Sequence, residues 1–472
     1  MNLLNKFSIS EDQLRSLVSA GLSGGGDWCD LYFEDTSYND LLLRDGEVSS
    51  GGHHIDYGCG IRVLKGDKTG YAYAESTDYP SLLSAAKAAA SIASFSSGEQ
   101  KAFCSSKTCT NAQSASFYPM QEDWRSTSAA RFVPFLKKLD SEIRRRDQRV
   151  IKVIAMLSYS VSDVMMYNSL GELCCDSRPL GSVSVQTIFN HNGQTENSSV
   201  SRSLRMGAEM ISDAVLEDLA SRAVKGMDER FEARRPKGGQ MPVVMGAGAS
   251  GILLHEAMGH AFEADFNRKG QSIFSGKMGE RICPQGINII DDGTLPASRG
   301  ACNFDDEGVP GQKTYMVTDG VLTSYLHDRI SADYFGVAPT GNGRRESFRY
   351  NPIPRMRATY MESGTARLED IIASVKNGIY VDQFANGQVK IGEGDFTFYV
   401  KSGALIENGR LTMPVKDINI IGNGPQALAD IEAVADDLKI DEGTWTCGKE
   451  QSVSVSCGIP SVLIKNLTVG GE

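Results

Sequence analysis

Leu254-His255-Glu256-Ala257-Met258-Gly259-His260 sets an HExxxH pattern inside an apolar run that opens with Gly251-Ile252-Leu253 and continues through Ala261, Phe262, Ala264 and Phe266. A helix apolar on most sides is a buried helix. Imidazoles and carboxylates on it need partners, because buried polar groups without them are costly. At ~100° per residue, His255, Glu256, His260 and Glu263 fall at roughly 0°, 100°, 140° and 80°, which is one polar sector. Histidines that can ligate a metal and a glutamate that can move a proton are the working parts of a metal-dependent hydrolase. The five-residue step is awkward, since it separates the imidazoles by ~140°, against ~40° in the familiar HExxH spacing. A π-bulge, with roughly 4.4 residues per turn, would bring positions five apart to within ~50° of each other. The spacing therefore predicts an irregular turn between Glu256 and His260, with Gly259 as its natural place. The bland alternative makes both histidines hydrogen-bonded core residues and Glu256 a local cap.

Upstream of this segment, Arg234-Arg235-Pro236-Lys237-Gly238-Gly239 combines charge, Pro and Gly and reads as a boundary between an N-terminal α+β domain, 1–235, and a β-rich catalytic domain, 236–472. In the first, a helix over 11–22 precedes strand-like runs at 29–34, 41–44, 60–64 and 71–74, then an alanine-rich helix at 82–93. A Ser-rich connector at 96–116 follows. The order then recurs, with a helix at 129–146, strands near 150–160, 164–168, 173–176, 182–190 and 196–204, and a helix at 212–232. Helix, meander, helix appearing twice suggests a duplication without alignable sequence. Beyond the boundary, short strands alternate with Gly turns, and Asp319-Gly320 and Asn408-Gly409 are strong hairpin signals. The fold class is α+β, with a mainly antiparallel β C-terminal half carrying the HExxxH helix.

Charge excludes one class of partner. A net charge of −11 opposes a phosphate backbone, and no basic run exceeds Arg144-Arg145-Arg146, which suits the end of a helix. Ten cysteines without a CxxC pair, and no apolar N-terminal h-region, point to a reducing cytoplasm. No apolar window approaches the ~18 residues of a membrane span.

A catalytic zinc takes three protein ligands and leaves a position for water. Spacing alone does not name the third: Glu263, Asp265, Cys283, Cys302, Cys447 and distant carboxylates are all eligible. His327 reads as a structural histidine, and His53-His54, after Gly51-Gly52, as loop.

Five blocks carry a resemblance. His255 to His260 continuing into Glu263-Ala264-Asp265-Phe266-Asn267-Arg268, Asp305-Asp306-Glu307-Gly308, Pro339-Thr340-Gly341-Asn342-Gly343-Arg344-Arg345-Glu346-Ser347, Cys447-Gly448-Lys449-Glu450, and Asn466-Leu467-Thr468-Val469-Gly470-Gly471 together resemble the TldD/PmbA family, and its TldD-type members in particular. The N-terminal half resembles it in layout more than in motif, and Thr444-Trp445-Thr446 is bulkier than the family pattern before the cysteine. The resemblance implies a zinc-dependent peptidase with His255, His260 and Cys447 as ligands and Glu256 as general base. Two imidazoles and a thiolate suit a borderline-soft ion. It further implies unfolded peptides as substrates, bound as an added strand at a sheet edge, and a homodimer or a heterodimer with a PmbA/TldE-like subunit. Arg344 and Arg345 are candidates for oxyanion or peptide-carboxylate contact, or for an ion pair with Glu346. The competing readings are a non-catalytic interaction protein, since the family has carried the label of a modulator of DNA gyrase, and a zinc amidohydrolase acting on a non-peptide amide.

Overall fold

The computed structural model describes residues 3–93, 116–390 and 392–471, so all but the last residue of the Ser-rich connector lies outside the described residues. A single turn, α1 (Leu3–Lys6), leads to α2 (Glu11–Leu22), which starts at a capping box: Gln13 N–H donates to Ser10 Oγ, and Ser10 N–H donates to Gln13 Oε1. The chain then lays down β1 (Trp28–Arg44), β2 (Glu47–Lys65) and β3 (Lys68–Ala74), and returns in α3 (Tyr79–Ala93). The second pass is α4 (Val133–Arg146), β4 (Val150–Asn168), β5 (Leu173–His191), β6 (Gln194–Leu204) and α5 (Asp213–Val224). Both passes share one antiparallel six-stranded sheet in the order β3-β2-β1-β4-β5-β6. The order is symmetric about the β1/β4 pair, as a duplication of helix, meander, helix would make it.

Strand parity shows how this sheet is covered. Odd-numbered residues of β1 and β4, including Leu31, Phe33, Leu41, Leu157 and Val161, pack under the helices. Even-numbered Tyr32, Val164 and Met166, joined by Cys174 of β5, meet Phe304 and Phe348 of the C-terminal part instead. Helices cover one face and the C-terminal part docks on the other.

The strands are longer than the sequence suggested. The separate runs at 29–34 and 41–44 are one strand, as are 150–160 with 164–168 and 173–176 with 182–190. Polar stretches that read as breaks continue the ladder because both neighbours supply hydrogen bonds there. Asp163, in the polar stretch of β4, is fully buried but paired to Lys6 and Arg125. His53 and His54 are therefore not loop: both sit exposed on β2, where His54 stacks on Tyr38 with ring centroids 4.4 Å apart. The helix expected over 212–232 breaks at Gly226, whose φ of 71° is left-handed, and resumes as α6 (Met227–Glu232).

After the Arg-Pro-Gly stretch, β7 (Gly239–Met245) joins a seven-stranded sheet, parallel to the strand Asn377–Val389 and antiparallel to Val462–Gly470. A second sheet of six strands is built around Ile289–Asp292 and ends on Ser456–Ile459 and Lys439–Asp441. Among the described residues, the strand pairings other than those of Ala358–Met361 with Ser456–Ile459 and of β7 with Asn377–Val389 are antiparallel, as expected. Both predicted hairpin turns form, with positive φ at Asp319, Gly320, Asn408 and Gly409. Leu253, Leu254, Met258, Ala261 and Phe262 of the HExxxH segment belong to the core that this part encloses. Among the described residues no helix is long and apolar enough to cross a membrane.

Candidate metal centre

Small residues let the HExxxH segment approach the second sheet. A side chain at Gly251 would collide with the backbone of Gly458, and one at Gly259 with the Met356 sulfur. After one α-helical turn, Ile252–Leu254, the backbone widens into a π turn over His255–Gly259 and then tightens to a 3-10 turn over His260–Phe262. His260 N–H donates to the His255 carbonyl, a five-residue hydrogen bond. The irregular turn demanded by the HExxxH spacing is thus present, and the imidazoles converge with ring centroids 5.1 Å apart and planes at 80°.

Cys447 meets them from a hairpin formed by Thr446–Gly448 and Ser452–Ser454. Ligand atoms of His255, His260 and Cys447 all lie within 4.8 Å of one another, with His260 Nε2 3.3 Å from Cys447 Sγ. All three side chains are buried, and among the described residues His255 Nδ1 has no hydrogen-bond partner, an orphan of the kind an ion or ordered water satisfies. Burial alone would push the Cys447 thiol up, but the flanking His255 and His260 bring it down to about 5. His260 moves the other way: burial opposes its charge, yet Glu263 and Cys447 hold its pKa up at about 10. The two shifts favour a thiolate at Cys447 and a protonated ring at His260. Ligation by both requires the His260 proton to leave, as for metal sites generally.

Glu263 stands behind His260, its Oε2 3.0 Å from Nδ1. That contact turns Nε2 towards Cys447 and is the carboxylate–histidine arrangement that orients metal-ligating imidazoles. Burial would raise the Glu263 pKa, but Lys449 at 3.1 Å, His260, and Arg355 at 3.7 Å hold it down to about 2. Lys449 also reaches Asp265 at 2.8 Å, so one ammonium joins the histidine helix to the cysteine hairpin. Replacing Glu263 with Ala would remove the fully buried member of the two acids that pair with Lys449 and leave it only Asp265. We expect a loss of about 3 kcal/mol in chemical denaturation, together with weaker zinc retention. Unchanged stability would mean that the pair is dispensable.

Arginines brace the hairpin. Arg355 donates to the carbonyls of Cys447 and Gln451, both at 2.7 Å, Arg344 donates to that of Ser454 at 2.7 Å, and Arg299 to that of Trp445 at 3.2 Å. Arg345 lies over the Tyr32 ring at 4.2 Å and donates to the Asp306 carbonyl and to Tyr71. Arg344 and Arg345 are thus interior struts, which argues against the substrate contact suggested by their Gly-flanked block. Glu346 accepts from Ser452 N–H at 2.7 Å rather than from either arginine. Asp306 and Glu307 pair with Arg178 and Arg62 of the N-terminal sheet and fasten the two parts together. Cys283 and Cys302 are buried away from the cluster, and burial lowers the pKa of His327 to about 4. Arg355 and Arg299 carried no sequence signal, whereas Lys449 lay inside a recognised block without an assigned role.

Glu256 is half-buried, and among the described residues no side-chain hydrogen bond or ion pair holds it. Burial raises the pKa of the Cys457 thiol well above its ordinary value, and Asp441 and Glu256 add to the rise from close by. Asp441 in turn lines a cleft of about 570 Å³ between β6 and the C-terminal part, with Ala249 and Trp445 also in its wall. Its other wall is the edge strand of the N-terminal sheet.

Three family models match in chain order: PmbA/TldA metallopeptidase domain 1 over residues 29–93, the central domain over 122–227 and the C-terminal domain over 238–471. A metalloprotease TldD homolog of Haemophilus influenzae is 38% identical over 99% of this chain and 98% of its own length. The chain belongs to the TldD/PmbA metallopeptidase family. It is a metallopeptidase, and both the π turn and the Cys447 hairpin lie within the match to the family's C-terminal domain. A zinc metalloprotease TldD homolog of Saccharolobus solfataricus is 34% identical over 54% of this chain and 56% of its own length. Among solved structures, TldE from Thermococcus kodakarensis is similar with a TM-score of 0.75 at 19% identity, covering 97% of this chain and all of that one. A Thermotoga maritima protein bearing the gyrase-modulator label has a TM-score of 0.77 at 23% identity, covering 97% and 99%. These last two likenesses bear on the fold alone.

Proposed function

We propose that this metallopeptidase is zinc-dependent, that His255, His260 and Cys447 hold the metal, and that Glu256 is the general base in hydrolysis of unfolded peptides. The observation that carries the reading is the convergence of three buried ligand atoms within 4.8 Å on an HExxxH helix and a distant hairpin. Two imidazoles and one thiolate fit zinc and leave a fourth position. When bound, zinc supplies Lewis acidity to the attacking water and the peptide carbonyl. Glu256 accepts the proton of the attacking water on its carboxylate and returns it to the nitrogen of the leaving amine. Glu263 keeps the His260 ring oriented, and Arg355 and Lys449 keep the Cys447 hairpin in place.

The edge strand β6 gives an extended peptide somewhere to lie. Its odd-numbered residues point their backbone groups away from β5: Ser203 N–H donates to the Glu442 carbonyl, and the carbonyls of Ser201 and Asn197 accept from Arg222 and Arg230. A substrate strand would exchange some of these contacts for backbone hydrogen bonds, a mode that tolerates many sequences. The resemblance to TldD-type members implies assembly with a PmbA/TldE-like subunit or a second copy of this chain.

Chelation tests the metal requirement. Protein stripped of metal should not cleave an unstructured peptide, and one equivalent of zinc should restore cleavage, followed by mass spectrometry of the products. Full activity of protein shown to be metal-free would rule the proposal out.

A further inference from the structure

The cleft along β6 has chemically different ends. Near Ser201 it is tied to the strand that leads to Cys447: Thr444 N–H donates to Ser201 Oγ, and Thr444 and Trp445 line the same wall. Near Asn197, some four residues or ~13 Å away along the strand, it is cationic. Most charges in its wall are already matched: Lys416 pairs with Glu196, Arg222 with Asp218 at 3.1 Å, Asp441 accepts from the Trp445 indole, and Asp417 from the Tyr399 hydroxyl. Arg230 and Lys401 are different. Among the described residues neither has an acid within ion-pair distance, although both line the cleft. Arg230, only 8% exposed, donates to the Asn197 carbonyl and to Gln383 Oε1 at 3.4 Å, both neutral; the acids it senses at longer range are Glu196 and Asp382. Burial, reinforced by Arg230, lowers the pKa of the Lys401 ammonium to about 8. Two desolvated cations without counter-charge in an open cleft are arranged for an anion.

We propose that Arg230 and Lys401 form a carboxylate-recognition site that holds the end of a peptide strand lying on β6. A strand antiparallel to β6 would run from the Ser201 end to the Asn197 end, which brings its C-terminal carboxylate to these cations. The same chemistry would accept an acidic side chain there. The inference rests on the peptide reading above, and it separates from it in a binding measurement that needs no turnover.

Three fluorescently labelled unstructured peptides of about eight residues, long enough to span the ~13 Å, differ only at the C-terminus: free acid, amide, and amide with a final Glu. Anisotropy titrations use the full chain, zinc-loaded and carrying Glu256→Gln to prevent cleavage. The free acid should bind at least about tenfold tighter than the amide, as the loss of charge-assisted hydrogen bonds implies, and Arg230→Gln should abolish that preference. Should Arg230→Gln fail to fold, Lys401→Gln, which breaks no side-chain hydrogen bond or ion pair among the described residues, should shrink the preference by several-fold. Tight binding of the Glu-amide would support the site with a side-chain carboxylate as ligand, and weak binding would support it with the terminal one. Equal affinity for acid and amide, or an undiminished preference in both variants, would overturn it. No binding of any peptide would refute the peptide reading itself, and this site with it.

Discussion

Glu256→Gln should retain zinc and lose peptide cleavage by about 10²–10⁴-fold, the usual contribution of a positioned general base. The substitution keeps the shape of the side chain and removes only its capacity to accept a proton. Glu256 sits on the π turn between the histidines, half-buried and without a structural ion pair among the described residues, so little else depends on its charge. The fold and the metal content should therefore survive. Single-turnover cleavage of an unstructured peptide, read beside metal analysis of the same preparation, separates the two effects. A variant that held zinc and cut at the wild-type rate would move the base elsewhere.

Cys447→Ser has the second large expected effect, on the metal rather than on the proton. The thiolate faces both imidazoles and its pKa is about 5, so it offers a charged soft ligand where a serine offers a neutral hydroxyl. Zinc affinity should fall by more than the roughly 10–100-fold typical of removing an outer-sphere partner. Thermal stability of the metal-free protein should change little, since Arg355 and Arg344 grip the hairpin through backbone carbonyls that the substitution leaves intact. Competition with a chromogenic chelator measures the affinity directly. Undiminished affinity would point to a different third ligand. Glu263 is poorly placed for that role, on the Nδ1 side of His260 and already engaged by Lys449 and Arg355.

The local geometry of the histidine helix was legible in the sequence because helix periodicity is simple arithmetic. Two imidazoles five residues apart cannot share an ion on a regular α-helix, and Gly259 permits the close approach to Met356 that the widened turn requires. Cys447 was legible only through resemblance. It lies 187 residues from His260, and no periodicity spans such a separation. The supporting shell was the least legible part. Arg355, Arg299 and Lys449 act on backbone carbonyls and carboxylates brought together by tertiary packing, and a lone arginine in sequence does not reveal whether it is buried. In the N-terminal half, short local windows cut long strands in pieces, because polar residues such as Asp163 are tolerated in a ladder once a distant Lys6 and Arg125 neutralise them. Conversely, the 212–232 helix looked continuous in its apolar spacing, and the left-handed Gly226 divides it.

X-ray absorption at the zinc edge of the metal-loaded protein tests the central claim most directly. One sulfur ligand at about 2.3 Å and nitrogen or oxygen ligands at about 2.0–2.1 Å are expected. A shell of nitrogen and oxygen alone, or one with more than a single sulfur, would contradict the assignment of His255, His260 and Cys447.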